Sequence, residues 1–442
     1  MAQSNNTLIF NVKRSEPELV VPEKPTPHEI KYLSDIDDQE GLRFLVPIMF
    51  FYPPSVHGKC IEPVKIIREG LAKALVYYYP LAGRLFEGPN RKLMVNCNGE
   101  GVLFVEADAN VKLEELGDGI LPPCPYMEKL LCKVSDSDSG GILGCSLFSF
   151  QVTRFICGGL SLGILFNHTM VDGHGLMLFL NAIRELVNGE SAPSIPPVWQ
   201  RELLSARSPP RITCSHKEFD ILSNNKLATN PRDDDFILTS VFFGPKEIQS
   251  LRNQVQPNQI PSPSRFDLIT ACLLKCRTIA LEPNPSELIR ISVVTNARHK
   301  KGINLPLSGY YGNAFVYPAE VSTAGILCAS PLAYAVDLVR RAKLQLSEEY
   351  IRSVADLMVK RGRTKYVTRW NYIVSDITRL GFDEFDLGWG KPLYGGVPSA
   401  TPVISFYTSS KNAEGEDVVV VSICLPSFAL EKFQSELKKM FG

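Results

Sequence analysis

Within the stretch "NHTMVDGHG" (167–175), two histidines and an aspartate, His168, Asp172 and His174, fall inside seven residues. Three kinds of chemistry fit these side chains. A neutral imidazole, with an ordinary pKa of about 6.5, can take a proton from an alcohol or amine as that group attacks a carbonyl, and such help contributes roughly 10²–10⁴ in rate. The same residues could ligate a metal, but His-x5-His with an intervening Asp matches no common zinc spacing, and no acidic cluster elsewhere completes a tetrahedral set. The bland alternative is a satisfied core histidine in a turn. Gly173 and Gly175 tip the balance toward function, because they let a chain turn sharply and expose one ring nitrogen. No G-x-S-x-G elbow is present, so the nucleophile expected here is a second substrate rather than a serine.

The flanking pattern says what must hold this knot. "CSLFSFQVTRFICGGLSLGILF" (145–166) reads as two strands broken at Gly158-Gly159. Leu176, Phe179, Leu180, Ile183 and Val187 recur at helical spacing. His168 is therefore expected at a strand end and Asp172 at a helix start. Upstream, Val64, Ile67, Leu71 and Leu75 mark one face of a helix closed at Pro80, and "KLMVNCNGEGVLFVEAD" (92–108) reads as a hairpin.

From Gly189 to about Arg232 the composition shifts to Ser, Pro, Asn and Arg with little periodicity, the pattern of a crossover linker. Beyond it the pattern restarts. Strands are expected near 237–243, 289–294 and 417–426, and helices near 246–254, 266–281, 332–346 and at the C-terminal end. The reading is an α/β protein with an N-terminal lobe over 1–190, a linker over 191–232 and a C-terminal lobe over 233–442.

Bulk properties bound the function. The 442 residues are too many for one ordinary core. Lys plus Arg and Asp plus Glu both total 47, so no global field draws in nucleic acid or an anionic membrane. Eleven cysteines are scattered without metal or redox spacing, an odd number that fits reduced thiols. No apolar run approaches membrane-span length and no secretory leader is evident, which makes the cytoplasm the expected location.

The pairing of "HTMVDG" (168–173) with "DLGWG" (386–390) resembles the two signatures of the BAHD family of plant acyl-CoA-dependent acyltransferases, H-x-x-x-D-G and D-F-G-W-G. "YYPLAGRL" (78–85), "TACLLKCRT" (270–278), "NARHK" (296–300) and "GYYGNAF" (309–315) are similar to family stretches too. Segments 15–44 and 90–109 look closest to the branch containing benzyl alcohol benzoyltransferases and methanol anthraniloyltransferases.

That resemblance implies two chloramphenicol-acetyltransferase-like lobes, mixed sheets flanked by helices, joined by a long crossover loop around a solvent channel. It implies His168 as general base and Asp172 as structural support, in an enzyme moving a benzoyl-like group from acyl-CoA to a benzyl-type or other small alcohol. This is ester formation of the kind found in plant specialised metabolism. Gly173, Asp386, Gly388, Trp389 and Gly390 match motif positions that support the site or channel, with Leu387 standing where the family usually has Phe. Tyr311, Gly312 and Asn313 match a channel-lining stretch, and Ser262, Ser264, Lys275, Arg298 and Ser375 are candidate CoA contacts. The Trp389 indole is the one guess for an oxyanion donor.

The expected partners are an acyl-CoA donor as co-substrate and a small alcohol acceptor, with a monomeric chain, no metal and no permanently bound cofactor. Competing readings are the same fold using another acyl-CoA or an amine acceptor, a condensation enzyme acting on carrier-protein thioesters, and a non-catalytic acyl-CoA-binding relative. Asn167 stands where condensation domains favour a second histidine.

Overall fold

The computed structural model describes residues 8–54, 62–133, 141–220, 236–256, 260–306, 308–412 and 414–442. The latter part of the expected linker, 221–232, lies outside them. Two compact units emerge. The first comprises Met1–Ser205, Asn304–Ala314 and Arg379–Pro398, and the second Ala206–Ile303, Phe315–Thr378 and Ser399–Gly442. Two short segments from beyond residue 233 thus belong with the N-terminal part of the chain.

The first unit is built on a seven-stranded mixed sheet. Its strands run in the order Val12–Arg14, Val102–Ala109, Phe148–Phe155, Leu160–Asn167, Leu45–Tyr52 and Tyr394–Gly396, with Glu18–Val20 also paired to Val102–Ala109. Leu45–Tyr52 is apolar throughout and almost wholly buried, so it carries no alternation to betray a strand. Its internal Pro47 falls where the short partner Tyr394–Gly396, paired only with Met49–Phe51, does not reach.

Helix Gly173–Val187 covers this sheet with the face its spacing predicts, burying Leu176, Phe179, Leu180 and Ile183. The Phe179 ring meets Phe148 of the sheet at 5.4 Å and Tyr78 at 5.1 Å. Truncating a ring so enclosed costs about 3–5 kcal/mol. The neighbouring helix Pro63–Tyr77 likewise buries Val64, Ile67, Leu71 and Leu75.

One expected pairing is corrected. Residues 92–108 do supply two strands, Leu93–Asn96 and Val102–Ala109, but they are not a hairpin. Leu93–Asn96 is the middle strand of a separate three-stranded sheet, its two edges taken by Ile30–Tyr32 and Arg84–Glu87. With both edges filled, the chain passes on to the large sheet.

The second unit holds a six-stranded sheet in the order Phe236–Phe243, Asp417–Pro426, Ile404–Lys411, Asn371–Asp376, Leu288–Val293 and Ala319–Thr323. Helix Arg265–Leu281 is buried around most of its circumference, as "FDLITACLLKCRTIAL" predicts. Helices Leu332–Leu344 and Leu430–Phe441 pack in the same core. Helix Glu348–Lys360 and strands Asn371–Asp376 and Ile404–Lys411 are additions to the sequence reading. Among the described residues no helix is long and apolar enough to cross a membrane.

Candidate active site

Strand Leu160–Asn167 delivers His168 and helix Gly173–Val187 begins five residues later. The turn between them is held from several directions. At its start, the His168 amide donates to the Phe44 carbonyl at 3.0 Å, next to the strand partner Leu45 of Asn167. Asn167 Oδ1 accepts from the Thr169 amide and hydroxyl at 3.1 and 2.8 Å. At its end, Asp172 caps the helix through Oδ1, which accepts from the Gly175 amide at 2.9 Å, and its Oδ2 accepts from the Ala314 amide at 3.0 Å. One carboxylate therefore pins the turn both to its own helix and to the segment 304–314.

The same segment explains the glycines. A Cβ on Gly175 would sit 2.0 Å from the Tyr311 carbonyl oxygen, and one on Gly312 would sit 2.5 Å from Arg201 Nη1. Neither position admits a side chain without displacing backbone or a buried guanidinium. Gly175 lets the helix start touch the 304–314 backbone, and Gly312 leaves room for the Arg201 guanidinium.

Beneath the turn lies a buried polar network that the motifs do not reveal. Asp37, fully buried, accepts through Oδ2 from the Ser34 amide and hydroxyl at 3.0 and 2.6 Å. Its Oδ1 accepts from Arg201 Nη1 at 2.6 Å, the Asn313 amide at 2.9 Å and Asn313 Nδ2 at 2.8 Å. Arg201 Nη2 then donates to the Met170 carbonyl at 2.6 Å, and Asn313 Nδ2 to the His168 carbonyl at 2.8 Å. Two carbonyls of the turn are thus gripped from one carboxylate.

Aromatic faces enclose the guanidinium, with Trp199 at 4.4 Å and Tyr311 at 5.2 Å from its carbon. Burial works against the Arg201 charge, but Asp37 and the neighbouring tyrosines outweigh it and the guanidinium is held above its ordinary value. Asp37 and Arg201 hold the turn from behind and were not singled out by the sequence motifs. Arg201 sits in the stretch read as featureless linker, on a single 3-10 turn, Arg201–Leu204. A signal did exist in "SDIDDQ" (34–39), where three aspartates adjoin apolar residues. All three are buried, and each has its own cation: Lys92 on Asp35 at 2.6 Å, Arg201 on Asp37, and Arg43 on Asp38 at 2.8 Å.

His168 itself is half-buried, with its ring edge-on to Phe44 at 5.5 Å and to Phe166 at 6.0 Å. Its Nδ1 is buried. Burial holds the imidazole below the ordinary histidine value. Its own backbone carbonyl, the Asp172 charge, the Val171 carbonyl and a hydrogen bond with the Asn313 side chain pull the other way. His174, on the first turn of the helix, is also half-buried. Among the described residues no three His, Cys, Asp or Glu side chains gather as a metal-holding group.

The "DLGWG" motif lies at the other end of strand Leu45–Tyr52. Asp386 Oδ1 accepts from the Gly388 and Gly390 amides at 2.7 and 2.9 Å, closing a tight loop in which both glycines adopt positive φ. The preceding Phe385 carbonyl accepts from the Tyr52 hydroxyl at 2.9 Å, and Phe385 packs on Phe50 at 5.2 Å. Leu387 is buried, so an apolar side chain does fill that position. Leu45 pairs with Asn167 beside His168 and Tyr52 holds Phe385 just before the motif, and the two strand residues are about 23 Å apart at the usual rise per residue. Strand Tyr394–Gly396, just beyond the motif, pairs with Met49–Phe51 of the sheet.

Tyr311, Gly312 and Asn313 are all buried, and the Tyr311 ring is edge-on to Tyr78 at 5.1 Å and Trp199 at 6.0 Å. They back the turn rather than form an open wall.

The candidate CoA contacts all belong to the second unit, and they do not form one cluster. Ser264 caps helix Arg265–Leu281, its Oγ accepting from the Asp267 amide at 3.1 Å, and the Ser262 carbonyl accepts from Arg340 Nη2 at 3.0 Å. Lys275, eleven residues further along the helix than Ser264, donates to the carbonyls of Leu327, Cys328 and Ser330 at 3.1, 2.7 and 2.6 Å. All three of its protons are spent on the end of helix Ala324–Ala329, so its position is corrected from an anion contact to a helix cap. Arg298 is buried with its amide on Asn296 Oδ1 at 2.9 Å, and Ser375 is half-buried on strand Asn371–Asp376.

The sequence profile of the transferase family matches residues 10–440. Alcohol acyl transferase 2 of Malus domestica is 54% identical over 438 residues, spanning 98% of this chain and 94% of the relative. Alcohol acyltransferase 16 of Actinidia chinensis var. chinensis is 53% identical over 444 residues, spanning 100% and 96%. Among solved structures, vinorine synthase superposes with a TM-score of 0.75 at 20% identity over 97% of this chain and 98% of its own. F. sporotrichioides TRI101, complexed with coenzyme A and T-2, superposes with a TM-score of 0.66 at 17% identity over 93% and 98%. At those identities the structural likeness bears on the fold alone.

Proposed function

This chain belongs to the transferase family and is an acyl-transferring enzyme, and from that premise we propose that it is an acyl-CoA:alcohol O-acyltransferase with His168 as its general base. The observation that carries the reading is the His168 ring itself, half-buried and held below its usual proton affinity on a turn fixed by Asn313, Arg201 and Asp172. A neutral imidazole so presented is ready to accept a proton at neutral pH.

The steps balance without a covalent acyl-enzyme. The acceptor hydroxyl gives its proton to His168 as its oxygen bonds to the thioester carbonyl carbon. The tetrahedral intermediate then breaks its C–S bond, and the imidazolium returns the proton to the departing CoA thiolate, yielding ester and free thiol. Asp172 touches no reacting atom in this scheme, since both its oxygens are on backbone amides. It preserves the turn, and Gly173 with the Asp386–Gly390 loop supports the sheet and helix around it.

The donor in this proposal is an aromatic acyl-CoA of benzoyl type and the acceptor a benzyl-type or other small alcohol, supported by the resemblance of residues 15–44 and 90–109 to the benzoyltransferase branch. Ser262, Ser264, Arg298 and Ser375 remain the proposed CoA-side contacts, without Lys275. Acyl-CoAs of graded size and aromaticity, assayed against a matrix of alcohols and amines, test it through thiol release and product mass. Benzoyl-CoA with benzyl alcohol is expected among the efficient pairs, and a preference for short aliphatic pairs alone would overturn the substrate assignment while leaving acyl transfer intact.

A further inference from the structure

Segment 207–220, whose composition reads as linker, is fastened along one face of helix Glu348–Lys360 in the second unit. The fastening groups Glu349, Ser353 and Asp356 recur at i, i+4 and i+7. Asp356, fully buried, accepts from the Arg207 amide and Nε at 2.7 Å each and from the Arg211 amide at 2.9 Å. Glu349 accepts from Arg207 Nη1 at 2.9 Å and from the Thr213 hydroxyl. Between them, Ser353 Oγ accepts from the Thr213 and Cys214 amides at 3.0 and 3.1 Å.

Those two amides fix the direction of the other bonds at this node. A hydroxyl oxygen has two lone pairs and one proton to give. With both lone pairs taken, Ser353 donates, and its partner is His216 Nε2 at 2.8 Å. His216 is therefore an acceptor at Nε2, and its ring proton lies on Nδ1, facing Glu218 Oε1 at 3.3 Å. The same carboxylate oxygen accepts at 2.6 Å from the hydroxyl of Tyr350, a phenol that burial and the Glu218 charge hold well above its ordinary value. Ser353, His216 and Glu218 follow the order of a hydrolase triad. None of the three is more than 1% exposed, however, and the Ser353 lone pairs are occupied, so the serine is no nucleophile.

The ring packs edge-on against Tyr350 at 4.7 Å and Phe219 at 6.4 Å. Other titratable groups around it are the Cys214 thiol, the Tyr317 phenol and the Arg290 guanidinium of strand Leu288–Val293, whose charge acts on Glu218. Arg290 also donates to the Asp220 carbonyl at 3.1 Å, and the Asp220 carboxylate holds Arg361 at 2.9 Å. A second proton on His216 has no place in this arrangement. It would set an N–H against an oxygen whose lone pairs are full, and one of the two amides would have to leave.

We propose that His216 is an acid-sensitive latch on the crossover segment: neutral, it takes the Ser353 proton and lets Ser353 hold the Thr213 and Cys214 amides, and protonated, it breaks that hold and frees the segment there from helix Glu348–Lys360. Nothing in this depends on the role of His168. The closed latch needs the neutral ring, whereas a released ring in water takes a proton below about pH 6.5. Opening is thus coupled to uptake of one proton, so its equilibrium constant rises about tenfold per pH unit below that value and is level above it.

The test uses the full chain. Ring 15N spectra, with His216→Gln assigning the His216 resonances, are expected to show the Nδ1–H tautomer in wild type at neutral pH. Hydrogen exchange at the Thr213 and Cys214 amides, corrected for its intrinsic pH dependence, is then followed from about pH 7.5 to about pH 5, above the usual carboxylate range. The variant serves as comparison, because the glutamine oxygen can accept the Ser353 proton but cannot titrate. Protection is expected to fall about tenfold per pH unit below about pH 6.5 in wild type and to stay level in His216→Gln. A wild-type His216 in the Nε2–H tautomer overturns the proposal even if the variant does not fold. So does protection that is independent of pH in wild type, or that falls equally in wild type and folded variant, since another group would then be titrating.

Discussion

Arg201 and Asp37 form an ion pair at 2.6 Å with side chains 1% and 0% exposed, 164 positions apart in sequence. Breaking such a pair from one side strands a buried charge, which costs about 3–5 kcal/mol. Arg201→Ala should lose stability of that order in urea denaturation. Arg201→Lys should lose part of it, since an ammonium lacks the fork that serves Asp37 and the Met170 carbonyl together. A loss below about 1 kcal/mol for both variants would show the pair to be dispensable.

Asp172 predicts a graded pair of variants. Asp172→Ala removes the acceptors for Gly175 and Ala314 at once, with an expected loss of about 1–3 kcal/mol. Asp172→Asn keeps one oxygen and sets an NH2 against the other amide, so it should lose the second contact only. Equal stability of the two variants, measured side by side, would contradict the two-sided role of the carboxylate.

The direction of the His168 shift gives a pH prediction. Burial favours the neutral ring, so protonation, and with it loss of the base, should be delayed as pH falls. The acid limb of kcat/KM against pH should therefore lie below the ordinary histidine value of about 6.5. An acid limb centred above about 7 would mean that the titrating group is elsewhere or that the charged ring is the favoured form.

Trp389 tests the separation of the two motifs. With Phe385, four residues before it, held at the far end of strand Leu45–Tyr52 from His168, the Trp389 indole N–H is expected to make no contribution to the chemical step. Trp389→Phe should keep kcat within about threefold of wild type, a margin small beside the roughly 10²–10³ cost of deleting an oxyanion donor. A loss of that larger size in a folded variant would restore the indole to the reacting centre.

The parts legible in the sequence are those set by local pattern. The strand before His168, the helix after it and the cap position of Asp172 follow from period and turn chemistry, and the helix buries Leu176, Phe179, Leu180 and Ile183 of the face its spacing predicts, with Val187 half-buried at its end. Strand Leu45–Tyr52 was not legible, because burial on both faces erases alternation and Pro47 speaks against a strand. The pairing of Leu93–Asn96 failed for a different reason. Proximity in sequence favours a hairpin, and only the tertiary fold shows both edges of that strand already taken. Arg201 and Asp37 are the extreme case, each unremarkable in its own neighbourhood and meaningful only once the chain brings them together. Lys275 shows the reverse error, since a basic residue in a family-like stretch reads as an anion contact until its three carbonyl partners are seen.

The central claim is that His168 takes the proton of the acceptor alcohol. Its most direct test is the rate of ester formation by folded His168→Ala beside wild type, with saturating acyl-CoA and alcohol, followed by product mass and free thiol. Loss of at least about 10²-fold in kcat is predicted, while wild-type rates in the folded variant would contradict the claim.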